Sequence, residues 1–317
     1  MKVLVVGGAG YLGGAVTDLL AQTKHDFKVY DALLYEDTFL KNVDFVYGDI
    51  RDRKKLLKHL KWADTVVFLA ALVGDGACAI NPDISTELNH LAVAWLAENF
   101  DGRIIFVSTC SVYGARNGIL TERSPINPLS VYAVTKFAAE VHLKNKNAII
   151  FRLGTLFGVS DQFSRVRLDL VVNTMTAKAY SDGELKVFGG AQYRPLLHVK
   201  DAARAIVDNL ETKHKGIYNL HKTNIKISDL AQEVKKHFPK IKIEKIAMKF
   251  EDSRNYRVSS ELAKRTLKFK PKYNISDGIE ELKKILEAGR IKDLNNPRFT
   301  NQMFLTQFNT HKLCKEF

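Results

Sequence analysis

Short, fully apolar runs alternate with amphipathic stretches of helical period through the first half of the chain. Lys2–Val6 has strand length and ends in a glycine cluster, and Tyr11–Thr23 follows with apolar residues at helical spacing. Phe27–Tyr30 predicts a second strand ending at Asp31, and Val43–Tyr47 a third ending in Gly48-Asp49-Ile50. Thr65–Ala70, Arg103–Val107 and Ala148–Leu153 predict three more. Between them, Leu56–Leu60 lies on a basic amphipathic helix, Asn81-Pro82 opens a long helix through Phe100, and Tyr132–Asn145 reads as another. Strands apolar on both faces belong to parallel sheets covered by helices on both sides. Strand–helix alternation is the order that builds such a sheet.

Beyond about Gly158 the pattern loosens. Helices are predicted over Leu168–Ala179, Asp201–Leu210, Ser228–Phe238 (with a Ser cap) and Ser276–Ala288. Strands are predicted over Leu185–Phe188 and Ile217–Leu220, with Ile241–Ile246 alternating like an edge strand. The expected fold class is α/β: a Rossmann-type doubly wound parallel sheet with a smaller mixed α/β C-terminal substrate lobe. The expected division is a dinucleotide-binding domain over residues 1–158 and a substrate-binding lobe over 159–317, interleaved with the first. The polar stretch Asn295–Phe317, with its scattered aromatics, carries no pattern that assigns it a role.

The glycine cluster carries the most specific chemistry. Gly7, Gly10 and Gly13 satisfy G-x-x-G-x-x-G, and Gly8, Gly10 and Gly13 satisfy G-x-G-x-x-G. The cluster follows a strand and opens a helix, the context that lets backbone N–H groups and a helix N-terminus meet a pyrophosphate. Asp31 ends the second strand, where a carboxylate accepts from ribose hydroxyls and repels a 2′-phosphate. No Arg or Lys lies from Tyr30 through Leu40, so the cofactor expected is NAD and not NADP. Asp31 can equally cap a turn. Asp49-Ile50 is a candidate adenine contact, or Asp49 caps the helix starting near Arg51.

Composition narrows the class. A chain of 317 residues with 46% hydrophobic and 26% charged residues is one large domain or two intimate ones, and neither disordered nor collagen-like. No apolar run reaches membrane-span length, and Val3–Val6 is too short for a signal-peptide core. Cys78, Cys110 and Cys314 are widely spaced without a C-x-x-C pair, which argues against a disulfide framework and for a reducing, cytoplasmic setting. The net charge of +13 is mostly scattered lysine, densest from Lys213 to Lys292. Without an arginine-rich tract or an aromatic–basic ladder, it predicts a solvated face and not a nucleic-acid partner. The nine histidines form no H-x-x-x-H or H-x-H cluster, so no metal is expected.

Tyr132 and Lys136 stand at i and i+4 on a predicted helix, where they share one face. An ammonium beside a phenol stabilises the phenolate, which suits Tyr132 as general base toward a sugar hydroxyl, with Lys136 also reaching a nicotinamide ribose. Tyr218 and Lys222 repeat the spacing but fall on the strand Ile217–Leu220, so that pair is a decoy. Ser108-Thr109-Cys110-Ser111 places hydroxyls at the carboxyl end of the fifth strand, where ligands of parallel sheets bind. Such hydroxyls can also simply cap nearby backbone.

These segments, with Leu69-Ala70-Ala71, Val112-Tyr113-Gly114, Phe151–Gly158 and Tyr193–Asp201, resemble the extended short-chain dehydrogenase/reductase family in its nucleotide-sugar epimerase/dehydratase branch. The resemblance covers nearly the whole chain. It implies a catalytic triad of Thr109, Tyr132 and Lys136, and hydride transfer between a sugar C4 and tightly held NAD. It implies cofactor contacts from Gly7, Gly10, Tyr11, Leu12, Gly13, Asp31, Asp49, Ile50, Leu69, Ala70 and Ala71. It implies a nucleotide-sugar substrate met by Ser111, Thr155, Arg167, Asn173 and Arg194, with Arg165 and Arg254 as weaker phosphate candidates.

Departures narrow the branch. The 4,6-dehydratases it resembles carry Asp-Glu after the catalytic Thr, where this chain has Cys110-Ser111, so dehydration is not expected. Members that epimerise through C3 and C5 carry Cys where this chain has Ser111. Simple oxidation or reduction at C4 remains, or 4-epimerisation. Val73–Cys78 and Arg167–Asn173 resemble bacterial capsule-pathway members that act as GDP-heptose 4-dehydrogenases. A non-catalytic dinucleotide-sensing regulator would have no need of the triad. Apolar residues on the helices Glu87–Phe100 and Tyr132–Asn145, among them Leu91, Val93, Ala94, Trp95, Phe137 and Val141, predict a homodimer through a four-helix interface.

Overall fold

The computed structural model describes residues 1–247 and 255–307. The first half builds β1 (Lys2–Val6), α1 (Tyr11–Leu20), β2 (Asp26–Asp31), β3 (Asp44–Tyr47), α2 (Arg53–Leu60) and β4 (Thr65–Phe68). It continues with α3 (Asp75–Ile80), α4 (Pro82–Thr86), α5 (Ala92–Asn99), β5 (Arg103–Thr109), β6 (Ile119–Leu120), α6 (Val131–Leu143) and β7 (Ala148–Leu153). The second half adds β8 (Thr155–Phe157), α7 (Val171–Ser181), β9 (Glu184–Phe188), β10 (Tyr193–His198), α8 (Val199–Val207), β11 (Gly216–Leu220) and β12 (Thr223–Lys226). After these come α9 (Ile227–His237), β13 (Lys242–Ile246), β14 (Arg257–Val258), α10 (Glu261–Leu267), α11 (Ile275–Glu287) and α12 (Asn301–Gln307).

The central sheet has seven parallel strands in the order β11-β7-β5-β4-β1-β2-β3. Its pleat divides β1 between two cores. Val3 and Val5 pack with Ala15, Val16 and Leu20 of α1 and Ala202 and Ile206 of α8. Leu4 and Val6 pack with Leu56, Leu96, Ala139 and Leu143 on the opposite face. Each fully buried side chain of this size contributes roughly 1.5–3 kcal/mol, so a one-residue slip that exchanged the two faces would forfeit both layers. Strand order reverses beside β1, which opens a crevice at the carboxyl ends of β1 and β4.

Chain halves and lobes do not coincide. β11 comes from the second half yet pairs with β7 at the edge of the central sheet, and α8 packs on α1. The smaller lobe holds the sheet β12-β10-β8, the pair β13-β9, and a core of Val172, Leu185, Val187, Leu230, Val234 and Ile279. β13 is an edge strand as its alternation suggests, but it runs parallel to β9.

Two local expectations are corrected. The helix expected from Asn81 to Phe100 is broken by a π turn at Glu87–Leu91 between α4 and α5. That turn rotates Asn89 inward, where its Oδ1 accepts from Leu72 N–H at 2.8 Å and its Nδ2 donates to the Leu72 carbonyl at 2.9 Å. The Ser228 cap is also absent: α9 begins one residue earlier, at Ile227, and Lys226 makes no side-chain cap.

Candidate active site

One cavity of about 440 Å³ runs along the carboxyl edge of the sheet. Gly7, Gly10, Tyr11, Leu12 and Gly13 line one part, Asp31, Asp49 and Ile50 a second, and Leu69, Ala70 and Ala71 a third. Thr109, Ser111, Tyr132, Thr155 and Arg167 line the same cavity. Residues more than 100 positions apart in sequence therefore converge on one crevice.

The glycine loop fits a dinucleotide. Gly7 has φ +85°, and a Cβ there would lie 2.4 Å from Ala70 N, so no other residue fits. A Cβ at Gly13 would lie 2.5 Å from the Gly8 carbonyl oxygen, where the first turn of α1 crosses the loop. Asp31 accepts from Ala9 N–H at 3.0 Å and Leu33 N–H at 2.8 Å, and still lines the cavity. It thus caps the loop and faces the cavity together. Leu33 is held at φ +48°, an uncommon state for leucine that the Asp31 bond supports. The buried Tyr35 hydroxyl lines this end and has no hydrogen-bond partner among the described residues.

Asp49 does not cap α2. Asp52 does, accepting from Lys55 N–H at 2.9 Å, while Asp49 pairs with Arg51 at 2.8 Å. Asp49 remains on the cavity wall with Ile50. Tyr11 presents its backbone to the loop, but its ring turns inward and its hydroxyl donates to the Gly158 carbonyl at 2.7 Å.

At the other end, Ser130 caps α6 and donates to Asp75 at 2.7 Å, fixing the first turn that carries Tyr132. Lys136 is 3% exposed and lies behind the cavity wall, its Nζ 4.0 Å from the Phe106 ring centroid. Burial lowers the Lys136 pKa from 10.5 to about 7, against Glu140 and Cys78, which raise it. The expected depression of the Tyr132 pKa is not found. Burial pushes the phenol up, Cys78 and Asp75 add to the rise, and Arg167 opposes it. Desolvation disfavours both charged forms more than either neighbour stabilises them.

Thr109 ends β5. Its Oγ1 accepts from Ser111 N–H at 3.1 Å and donates to Ser111 Oγ at 3.1 Å. Cys110 turns away from the cavity: it is fully buried, its Sγ donates to the Arg152 carbonyl at 3.2 Å, and burial pushes its thiol pKa up. Below this loop, Ser108 donates to Glu140 at 2.5 Å. Glu140 also accepts from Arg152, at 2.6 Å from Nη2, and Arg152 donates to the Tyr113 hydroxyl at 2.9 Å. Both charged side chains are nearly sealed from solvent. The network joins β5, α6 and β7 beneath Thr109 and Tyr132.

Two expected substrate residues lie elsewhere. Asn173 is fully buried and its amide is spent on backbone, accepting from Gly158 N–H and donating to the carbonyls of Gly158 and Arg167. Arg194 is buried on β10, donates to the Tyr193 carbonyl at 2.9 Å and does not line the cavity. Arg167 does line it, paired with Asp169 at 2.9 Å. Arg254 and Cys314 lie outside the described residues. His198 is buried against Phe157, Tyr273 and Glu281. Tyr218 sits on β11 with its hydroxyl toward the Lys215 carbonyl, as a decoy should.

Sequence reasoning missed Asn89, Tyr256 and the segment 295–307, and named Arg165 only as a weaker phosphate candidate. Tyr256 lines the cavity and meets Ser111 Oγ at 3.1 Å. Arg165 lines it with its guanidinium 4.0 Å from the Tyr35 ring centroid. The C-terminal segment straps the cavity. Arg298 pairs with Glu36 and Asp37, Phe304 packs on Tyr35, and Asn301 donates to Asp169 and to the Val73 carbonyl. Among the described residues no His/Cys/Asp/Glu group could hold a metal, and no helix is long and apolar enough to cross a membrane.

The chain is similar to known proteins along most of its length. The profile of the NAD dependent epimerase/dehydratase family matches residues 3–220. A dTDP-glucose 4,6-dehydratase of Actinoplanes sp. is 27% identical over 89% of this chain and 96% of that protein. A dTDP-glucose 4,6-dehydratase of Neisseria gonorrhoeae is 30% identical over 71% of this chain and 75% of that protein. The crystal structure of a UDP-glucuronic acid 4-epimerase from Bacillus cereus, in complex with UDP-glucuronic acid and NAD, superposes with a TM-score of 0.78. It is 26% identical and covers 91% of this chain and 100% of that one. NAD is the cofactor of this family, and the chain belongs to the NAD-dependent epimerase/dehydratase family.

Proposed function

We propose that the protein oxidises C4 of a nucleotide-diphosphate sugar to a 4-keto sugar. Thr109, Tyr132 and Lys136 would work on the sugar oxygen, and a GDP-heptose is the first substrate to try. NAD supplies the hydride acceptor. One observation carries the reading: Thr109 and Tyr132 share a cavity with the glycine loop, while the two positions after Thr109 hold no carboxylate. Dehydration needs a base to remove a proton beside the ketone and an acid to protonate the leaving hydroxyl. Cys110 faces the protein interior and Ser111 offers a neutral hydroxyl.

Tyr132 would take the O4 proton and Thr109 would donate to the same oxygen. Lys136 behind Tyr132 would orient the nicotinamide ribose. Among the described residues Arg165 and Arg167 are the arginines that line the cavity, and they suit the substrate's diphosphate better than Arg194. A 4-epimerase is the second reading, favoured by the likeness to the UDP-glucuronic acid 4-epimerase.

Mass spectrometry of the product separates the outcomes. Loss of two hydrogens supports the dehydrogenase, and unchanged mass with a new stereocentre supports the epimerase. Loss of water refutes both. Tyr132→Phe keeps the ring and the helix, so NAD binding should persist while hydride transfer falls roughly 10²–10⁴-fold. A variant as active as wild type would remove Tyr132 from the reaction.

The assembly proposed is a dimer through α5 and α6 and the π turn between α4 and α5. Leu91, Val134 and Val141 are 44%, 49% and 57% exposed there. Val93 is buried in the core, and Trp95 and Phe137 pack against core clusters. The apolar surface left for a partner is therefore smaller than the sequence suggests. Sedimentation showing only monomer at micromolar concentration refutes the dimer.

A further inference from the structure

We propose that Tyr256 is a positioning residue that acts through Ser111 to let Thr109 turn its proton toward the sugar oxygen; the inference rests on the C4 oxidation proposed above. Three hydroxyls form a row on the cavity wall. Thr109 donates to Ser111 Oγ at 3.1 Å, and Ser111 Oγ lies 3.1 Å from Tyr256 Oη with either oxygen able to donate. Tyr256 comes from 145 residues away, on the segment that enters β14, and is 4% exposed. Its ring packs with Cys110, Val112, Tyr113, Leu120 and Val258, so the hydroxyl is held against the catalytic loop by a small core of its own.

Proton counting gives the row a task. During oxidation the C4–H bond breaks and its electron pair leaves as hydride for NAD, which is reduced. The O4–H bond breaks, its proton goes to the phenolate form of Tyr132, whose own proton has left to solvent before the transfer, and C4–O4 becomes a double bond. While O4 carries excess charge it needs a donor, and Thr109 has a single hydroxyl proton. In the structure that proton points to Ser111. Turning it to O4 strips the half-buried Ser111 Oγ of its donor, which opposes the turn. Tyr256 removes the opposition, because its own O–H can donate to Ser111 Oγ as Thr109 leaves. The backbone bond from Ser111 N–H to Thr109 Oγ1 keeps the Thr109 oxygen in place during the exchange.

The test is a double-mutant cycle on the NAD-loaded enzyme. Single-turnover hydride transfer is followed by the reduced-nicotinamide absorbance with saturating nucleotide sugar, chosen from a panel of UDP-, dTDP- and GDP-hexoses and GDP-heptose. Tyr256→Phe keeps the packed ring and deletes the hydroxyl. It should slow transfer about tenfold, worth about 1.4 kcal/mol, with KM for the sugar and the melting temperature nearly unchanged. Ser111→Ala should cost little, because Thr109 then abandons no hydroxyl when it turns. The double variant should be no slower than Ser111→Ala alone, because Tyr256 then has nothing to act through. Ser111→Thr, which keeps a hydroxyl, should leave the Tyr256→Phe loss in place. Losses that multiply in the double variant, or a Tyr256→Phe effect confined to KM, overturn the relay and leave the reaction intact. If the wild type reduces its NAD with no member of the panel, the proposed reaction falls and the relay falls with it.

Discussion

Replacing Lys136 by Met should make the protein more stable at acidic pH while removing its activity. Lys136 is 3% exposed, and burial moves its pKa from 10.5 to about 7. The unfolded chain returns it to water with its ordinary pKa. Each unit of depression is worth about 1.4 kcal/mol, so ionised Lys136 costs the native state about 5 kcal/mol. The cost is fully present below about pH 7, where the lysine is charged in both states. Between about pH 7 and 10.5 the unfolded chain binds the extra proton, so wild-type stability rises with pH relative to a variant without the group. Met keeps the stem that packs on Phe106 and removes the ammonium.

The measurement is urea unfolding of both proteins, stripped of dinucleotide, at pH 6 and pH 9. Other titrating groups are common to both and cancel in the difference. The stability advantage of Lys136→Met should reach several kcal/mol at pH 6 and shrink by about 2–3 kcal/mol at pH 9. A pH-independent difference would mean that the ammonium is solvated or paired in the native state, and the account of a desolvated lysine would be wrong.

Two further perturbations test the cofactor end. Asp31→Ala removes the cap on the loop N–H groups of Ala9 and Leu33 together with the carboxylate on the cavity wall, and should weaken NAD about tenfold or more while relaxing discrimination against NADP. Calorimetric titration with both dinucleotides checks it, and a wild type that prefers NADP would refute the reading of Asp31. Arg298→Ala cuts the exposed pairs to Glu36 and Asp37, each worth about 0–1 kcal/mol, and should speed NAD release a few-fold in a stopped-flow chase. An unchanged release rate would mean that the strap does not hold the dinucleotide.

What was legible in the sequence is what local periodicity controls. β1, β4, β5 and β7 are apolar runs because they are central strands, and the glycine loop is legible because Gly7 and Gly13 have no tolerated substitute. Tyr132 and Lys136 are legible because helical spacing alone puts them on one face. Asn173 misled because a polar residue on a helix near a binding segment looks like a ligand group, and only the fold shows its amide spent on Gly158 and Arg167. Tyr256 was invisible because its meaning lies in a contact across 145 residues. The strap at 295–307 has no pattern of its own, since Phe304 and Leu305 find their core only after the sheet exists.

The buried cations show why Lys136 stays poised. Arg51, Arg152, Arg167 and Lys41 each have a carboxylate partner within 3.0 Å. Lys136 has none within ion-pair distance among the described residues, although Glu140 stands one helical turn beyond it, close enough to raise its pKa. Glu140 is instead drawn away by Arg152 and Ser108. Arg152→Met should therefore act at a distance. It frees Glu140, which then pairs with Lys136 across the turn and restores the lysine pKa toward its ordinary range. The variant will be less stable overall, since removing one partner of a buried pair costs roughly 3–5 kcal/mol, but the informative quantity is a difference. In the Arg152→Met background, adding Lys136→Met should no longer give a stability change that varies between pH 6 and pH 9. A pH dependence as steep as in the wild-type background would show that Arg152 does not govern the charge of Lys136, and that the network beneath the triad is only structural.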